Sequence, residues 1–391
     1  MEKVKLKDIC SMQSGGTPSR SKSEFYTGNI PWAKISDLEK SNDGYIYETE
    51  EHITEEALKS INNRFFKVGT LLLAMYGSVG KTAIAKIDLS TNQAILGLNI
   101  IDKNNVDIKY LRYWFTTIKE QLLNRAVGAA LANISLGIVK ELEIPLPNLA
   151  TQQRIAAILD QADAIIQNNR AIVQKYDALT QSLFLDMFGD PVKNEKGWEV
   201  KSLNDLCNKI TDGTHDTPKR LTEGIKFITG KHIRPFEIDY DNSDYVTEEI
   251  HKEIFKRCNP EYGDVLYTNI GVNFATAAMN TVEYEFSMKN VALLKYNREL
   301  LNGRYLVHIL NNEFFKDKLK KTFGVGGAQQ FLSLSNIKSI LVLVPPITLQ
   351  NLFAERVAMI ESQKQQAQLE LAKSEELFQS LLQRAFKGEL S

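Results

Sequence analysis

Cysteine is scarce. The chain holds three, Cys10, Cys207 and Cys258, far apart among 391 residues. That spacing argues against a disulfide framework and suits a reducing, cytoplasmic compartment. The five histidines are scattered without ligand-like pairing, so neither a metal site nor a Ser-His-Asp or Cys-His set can be nominated. No apolar run is long enough to span a bilayer, and the opening MEKVKLKDIC lacks a signal-peptide core. Excess charge is missing too. The net is −1, with 18 basic and 17 acidic side chains in residues 1–148, and 19 of each in 198–346. A nucleic-acid-binding face would have to come from local arrangement.

What is present includes one apparent phosphate loop. Leu71–Ala85 reads LLLAMYGSVGKTAIA, an apolar run, glycines, Lys-Thr and a second apolar run. The spacing fails: only two residues separate Gly77 from Gly80, and Met75 stands where the motif needs glycine. No GxGxxG loop occurs. NPEY at Asn259–Tyr262 lacks the second proline of the amino-methyltransferase motif and reads as a turn. Acidic pairs such as Glu50-Glu51 and Glu248-Glu249 read as solvated surface.

The chain is one sequence repeated once. VKLKDIC at Val4 returns as VKSLNDLC at Val200, and VGTLLLAMYGSVG at Val68 as YGDVLYTNIGVNF at Tyr262. YLRYWF at Tyr110 pairs with YLVHIL at Tyr305. VGAALANISLGIVKELEIPLPNLATQQ at Val127 pairs with VGGAQQFLSLSNIKSILVLVPPITLQN at Val325. Several matches in one order at nearly one offset define a duplication. Lys81 falls on Ala275, so the lysine that would grip a phosphate is absent from the copy. The shared element is a strand, a glycine turn and a second strand.

Two globular units of about 150 residues follow, each a comfortable single-domain size. Leu71–Met75, Ala83–Ile87, Asn99–Ile101, Asp264–Thr268 and Val291–Lys295 read as strands, Ile108–Leu123 and Gly303–Lys321 as helices. After each unit comes a long helix. Residues 151–187 contain neither proline nor glycine, and Ile155, Leu159, Ala162, Ile166, Val173, Tyr176, Leu183 and Met187 follow the four-three spacing of a heptad seam. A second line, Ile158, Ile165, Ile172 and Leu179, runs beside it. The copy repeats the seam with Phe353, Val357, Ile360, Ala367, Leu371, Phe378, Leu381 and Ala385, but its side line begins with polar Arg356, Gln363 and Glu370. Two such seams most simply pack on each other, antiparallel if the copies obey two-fold symmetry.

The polar features that recur are loops. Gly15, Gly16, Thr17, Ser19 and Arg20 have counterparts in Gly213, Thr214, His215, Lys219 and Arg220. Turn amides, hydroxyls and a nearby cation suit phosphate oxygens. Gln329 and Gln330 could reach base edges, since a glutamine amide pairs with adenine. The first copy has Ala129-Ala130-Leu131-Ala132-Asn133 at that place and lacks the glutamines.

Two α/β units, each followed by a long helix, with GGTPS, PLPNLATQQRIAAIL and GGAQQFLS, resemble the specificity subunit of type I restriction–modification enzymes over essentially the whole chain. The resemblance implies an α/β fold with two duplicated target recognition domains, residues 1–148 and 198–346. It implies spacer helices at 149–188 and 347–388 that form an antiparallel coiled coil, with a linker at 189–197 between the first helix and the second recognition domain. Each recognition domain would read one half of a bipartite, gapped double-stranded DNA target. The coiled coil would dock two methyltransferase subunits, and motor-nuclease subunits would join for cleavage. S-adenosylmethionine, ATP and Mg would belong to those partners, with no cofactor, metal or catalytic residue in this chain and no membrane contact. The resemblance adds Lys34 and Lys231, and the hairpin-tip residues Tyr76, Ser78, Lys81, Thr82, Asn269 and Asn273, as DNA contacts. Two other readings stay open: a protein-binding adaptor with duplicated α/β domains, or an enzyme whose site the sequence hides. Sequence-selective DNA binding separates the first from the specificity subunit, and S-adenosylmethionine binding by the isolated chain would mark the second.

Overall fold

The computed structural model describes residues 2–125, 133–271, 273–323 and 331–390. Two compact units emerge, Met1–Val173 with Gln366–Ser391, and Gln174–Gln365. Each contains one globular part and a stretch of each long helix.

The units share a plan. In the first, a five-stranded sheet runs Cys10–Ser14, Ile95–Ile100, Leu71–Ala74, Thr82–Ala85, Tyr45–Ile46. In the second, a four-stranded sheet runs Cys207–Asp212, Val291–Tyr296, Val265–Thr268, Ala277–Met279. A three-stranded sheet accompanies each. Ile30–Ala33 lies between antiparallel Glu51–Ile53 and parallel Ser90–Thr91. Ile225–Thr229 lies likewise between Asp244–Val246 and Ser287–Lys289. The Leu71–Ala74 and Thr82–Ala85 strands form the hairpin read from the sequence, fully buried on both faces. Its turn amides are spent internally, Gly80 N–H on Ala74 O and Lys81 N–H on Ser78 O, so neither remains to cradle a phosphate. The helix expected over Ile108–Leu123 is broken at Ile118, and that over Gly303–Lys321 at Asn312, whose side chain caps the second piece by accepting from Phe315 N–H.

The long helices span Leu149–Phe188 and Ile347–Lys387. In the first unit Ile155, Leu159, Ala162 and Ile166 share a core with Phe378, Leu382 and Ala385, and Asn169 Nδ2 donates to Ser374 Oγ at 3.3 Å. In the second, Phe184 and Phe188 pack on Phe353, and Asp177 pairs with Lys364. One residue number rises as its partner's falls, so the helices form an antiparallel coiled coil. A polar pair such as Asn169–Ser374 inside an apolar seam fixes register at some cost in stability.

The same buried amide anchors each long helix to its unit. Gln152 is 0% exposed; its Nε2 donates to Asn105 O (2.9 Å) and Pro147 O (2.7 Å), and its Oε1 accepts from Asp107 N–H (2.9 Å). Gln350 is also 0% exposed, with Leu300 O (3.0 Å), Pro345 O (2.8 Å) and Asn302 N–H (2.9 Å) in the same places. Asp107 and Asn302 are the caps of the next helix. One glutamine therefore ties the start of the long helix to the start of its neighbour. Tyr110 and Tyr305 repeat a second tie, their hydroxyls donating to Pro145 O and Leu343 O.

The copies differ at Tyr113 and its counterpart His308. Tyr113 donates to Asp160 on the long helix at 2.7 Å. His308 packs between the rings of Phe236 (4.5 Å) and Phe353 (5.1 Å). Burial, with nearby Arg304 adding to it, pushes its imidazole down to about 3 from 6.5. Between those values the unfolded chain binds a proton that the folded chain does not. The second unit is therefore expected to keep its full stability above pH 6.5 and to lose up to about 1.4 kcal/mol per pH unit below it. Urea denaturation at about pH 7 and about pH 5 checks this, and His308→Phe should remove that part of the slope.

Candidate nucleic-acid interface

The recurring loops are built around glycines that cannot be replaced cheaply. Gly15 N–H donates to Ile95 O and Gly16 N–H to Thr91 O; Gly213 N–H donates to Val291 O and Thr214 N–H to Met288 O. A Cβ on Gly15 would collide with the backbone carbonyl of Asn92, and one on Gly213 with that of Met288. These glycines let the loop lie against the neighbouring strand. Their amides are thus occupied, which corrects the expectation that Gly15 and Gly16 offer N–H groups to a phosphate. The side chains beyond them do face outward.

Those side chains form one constellation, present twice. Arg20 Nη1 lies 2.7 Å from Glu51 Oε2, and Lys34 Nζ 2.8 Å from Glu51 Oε1. Arg220 Nη1 lies 2.8 Å and Lys231 Nζ 3.1 Å from Asp244 Oδ2. The register makes the carboxylates equivalent, since Trp32 pairs with Glu51 as Phe227 pairs with Asp244. Burial opposes the charge on Glu51, but hydrogen bonds from Arg20 and Lys34 prevail and hold it below the usual carboxylate range. The hydrogen bond to Glu51 in turn raises Lys34. Arg20 also lies over Tyr26 (4.2 Å) and Trp32 (5.0 Å), a cation–π seat. Beside each triad is a polar pair. Thr17 Oγ1 donates to Gln93, and His215 Nδ1 sits 2.9 Å from Asn290 Oδ1 while its Nε2 meets Asp212 at 2.9 Å.

Ser19 and Lys219 are exposed near these groups, Ser19 Oγ lying 2.8 Å from Ser21 Oγ. Tyr76 is 38% exposed at the first hairpin tip and forms a backbone bridge with Asn133. Ser78 donates to Glu39. In the second unit Asn273 Nδ2 donates to Gly230 O and Ile233 O, bracing the tip against the strand that leads to Lys231. Three other expected contacts are placed inward. Thr82 is 8% exposed within its strand, paired with Leu73, and Asn269 is 2% exposed, its carbonyl taking Leu332 N–H. Lys81 is half-buried with Nζ turned to Ser41 O at 3.2 Å; burial, then Lys119 and Arg112, lowers its ammonium's pKa. Gln329 and Gln330 lie outside the described residues.

Sequence reading missed Glu51, Gln93, Asp244, Lys289 and Asn290. Glu51, read as solvated surface, holds the first triad together. A signal existed: Glu51-His52-Ile53-Thr54-Glu55-Glu56 matches Asp244-Tyr245-Val246-Thr247-Glu248-Glu249. Thr54 and Thr247 both cap the helices that follow.

One cluster has the composition of a catalytic triad. His251 Nδ1 lies 3.0 Å from Ser287 Oγ, and Nε2 lies 3.0 Å from Glu285 Oε2. Ser287 is 0% exposed inside its strand, so no substrate can reach its oxygen. The three side chains fasten the helix Glu248–Arg257 to the strand Ser287–Lys289. Burial pushes the thiols of Cys10, Cys207 and Cys258 up to about 12, which leaves them protonated and unreactive at neutral pH. Among the described residues no helix is long and apolar enough to cross a membrane.

Known proteins carry this duplicated arrangement. The family model of the type I restriction modification DNA specificity domain matches residues 1–175 and again 195–371. The chain belongs to this family and is a specificity subunit, the member of its complex that is not an enzyme. The type I restriction enzyme MjaIX specificity subunit of Methanocaldococcus jannaschii is 30% identical over 362 residues, 88% of this chain and 82% of that protein. The crystal structure of the S subunit of a type I restriction–modification system from M. genitalium shares the fold, with a TM-score of 0.58 at 19% identity, covering 98% of this chain and 96% of that one. A chain solved in work on complex assembly and conformational transition of the type I system gives 0.62 at 16%, covering 99% and 98%.

Proposed function

We propose that each unit reads one half of a bipartite DNA target through its triad and polar pair, and that the long helices carry the methyltransferase subunits. The observation that supports it most is the duplication of one outward-facing constellation, Arg20–Glu51–Lys34 with Thr17–Gln93, and Arg220–Asp244–Lys231 with His215–Asn290. Cations hold a backbone in register, while amides, hydroxyls and imidazole discriminate bases. The pairs differ between copies, as two dissimilar half-sites require.

Docking of two methyltransferase subunits is supported by the side line of the first long helix. Ile165 is 49%, Ile172 42% and Leu179 49% exposed, while Leu159, Ala162 and Ile166 of the seam are buried. An apolar line at heptad spacing fits an amphipathic helix of a partner. S-adenosylmethionine would enter with those subunits, and ATP and Mg with the motor-nuclease subunits, in the cytoplasm where the DNA lies. Near-neutral net charge leaves much of the phosphate attraction to the assembled complex.

The test is a methylation map of the assembled complex. Replacing His215 and Asn290 together by alanine should relax one half of the methylated motif and leave the other unchanged. A change in both halves, or in neither, would contradict the assignment of one unit to one half.

A further inference from the structure

The two triads are not equal in charge or shape. Beside the second lies a cleft of about 420 Å³, lined by Arg220, Lys231, Lys289, Asn273 and Gly271 among others. Gly271 on its rim has φ +96°, a conformation that favours glycine. Three cations are among its described lining residues, and two of them, Arg220 and Lys231, share the carboxylate of Asp244. In the first unit the register puts Asn92 where the second has Lys289, because Trp32 pairs with Ser90 as Phe227 pairs with Ser287. Lys34 there also meets a second carboxylate, Glu50, at 3.2 Å.

We propose that the second unit's cleft is a phosphodiester site whose own carboxylate, Asp244, competes with the DNA backbone for Arg220 and Lys231, and that the first unit, with Asn92 in place of the third cation, grips the backbone more weakly. This rests on the reading that these faces meet DNA. Asp244 Oδ2 occupies the position a phosphate oxygen would take, bridging the same two cations. Partly exposed ion pairs of this kind are weak, so a phosphate with several acceptor oxygens can displace the carboxylate. Lys289, whose Nζ donates to Thr217, supplies the third charge. On unrelated DNA the carboxylate repels the backbone and keeps the cations occupied. On the target, base contacts hold the duplex long enough for the exchange. Asp244 therefore lowers non-specific affinity more than specific affinity, and one half-site is gripped more strongly than the other.

The experiment uses the full chain assembled with its methyltransferase. Affinities are measured between about 50 and 200 mM salt for a duplex carrying the motif found methylated in the host and for an unrelated duplex. Lys289→Ala should weaken both duplexes alike and reduce the magnitude of the salt slope by about one. Asp244→Asn should tighten the unrelated duplex roughly threefold to tenfold and the target less, lowering discrimination. Lys34→Ala should reduce the slope by less than Lys289→Ala does, because Glu50 and Glu51 both meet its ammonium. Should Asp244→Asn fail to fold, the exposed Lys231→Ala carries the same test, with a loss of slope equal to that of Lys289→Ala. Unchanged slopes in Lys289→Ala and Lys231→Ala, or an equal loss in Lys34→Ala, would overturn the proposal. Target preference retained by the wild-type complex in that case would leave the DNA-reading role standing, and its absence would remove both.

Discussion

Glutamate placed at Ile165 and Ile172 together is expected to abolish methyltransferase assembly without unfolding the chain. Both side chains are close to half exposed, whereas Leu159, Ala162 and Ile166 of the seam are 0%, 6% and 4% exposed. Surface substitutions of this kind usually change stability by only about 0.5 kcal/mol, and glutamate is a good helix former. In the assembly the two apolar anchors are lost and two charges must be desolvated. At about 2 kcal/mol for each anchor, affinity falls on the order of a thousandfold. Titration calorimetry of the full chain against the purified methyltransferase reads this directly. Binding at the wild-type level by a folded double variant would take the docking surface away from this helix. On the second helix the matching line is polar at Arg356, Gln363 and Glu370 before the exposed Leu377, so the apolar line of the first helix is not repeated there.

Alanine at Gln152 or at Gln350 is expected to destabilise its own unit by roughly 3 kcal/mol or more. Each substitution strands two carbonyls and one cap amide in a fully buried place, and an unpaired buried group costs about 1–3 kcal/mol. The two effects should be similar because the partners are the same in both copies. Urea denaturation of the full chain measures both. A loss under about 1 kcal/mol in each would mean that water replaces the amide and that the clamp does not hold the helix.

Much of this architecture was legible in the sequence, for a physical reason. Heptad spacing is local, and it placed Leu159, Ala162 and Phe378 in the helix seam where they are found. The duplication showed that Lys81 had no counterpart, and the structure puts its ammonium on Ser41 O. The glutamines stood in plain view within PNLATQQ and PPITLQN, yet their role depends on Asp107 and Asn302, more than forty residues earlier. Glu51 and Asp244 escaped for the same reason. Each owes its place to a strand pairing, with Ile30–Ala33 in one copy and Ile225–Thr229 in the other, that no local pattern reports. Thr82 and Asn269 were misjudged because a hairpin's tip and its buried flank differ by one or two residues.

This chain selects the DNA sequence its complex methylates. The most direct measurement is a base-resolution map of genomic N6-methyladenine in the native host, with and without the gene. Methylation is expected to vanish at one gapped, two-part motif and to return when the gene is restored. An unchanged map, with the methyltransferase shown to be expressed, would contradict it and favour a protein-binding adaptor built on the same duplicated fold.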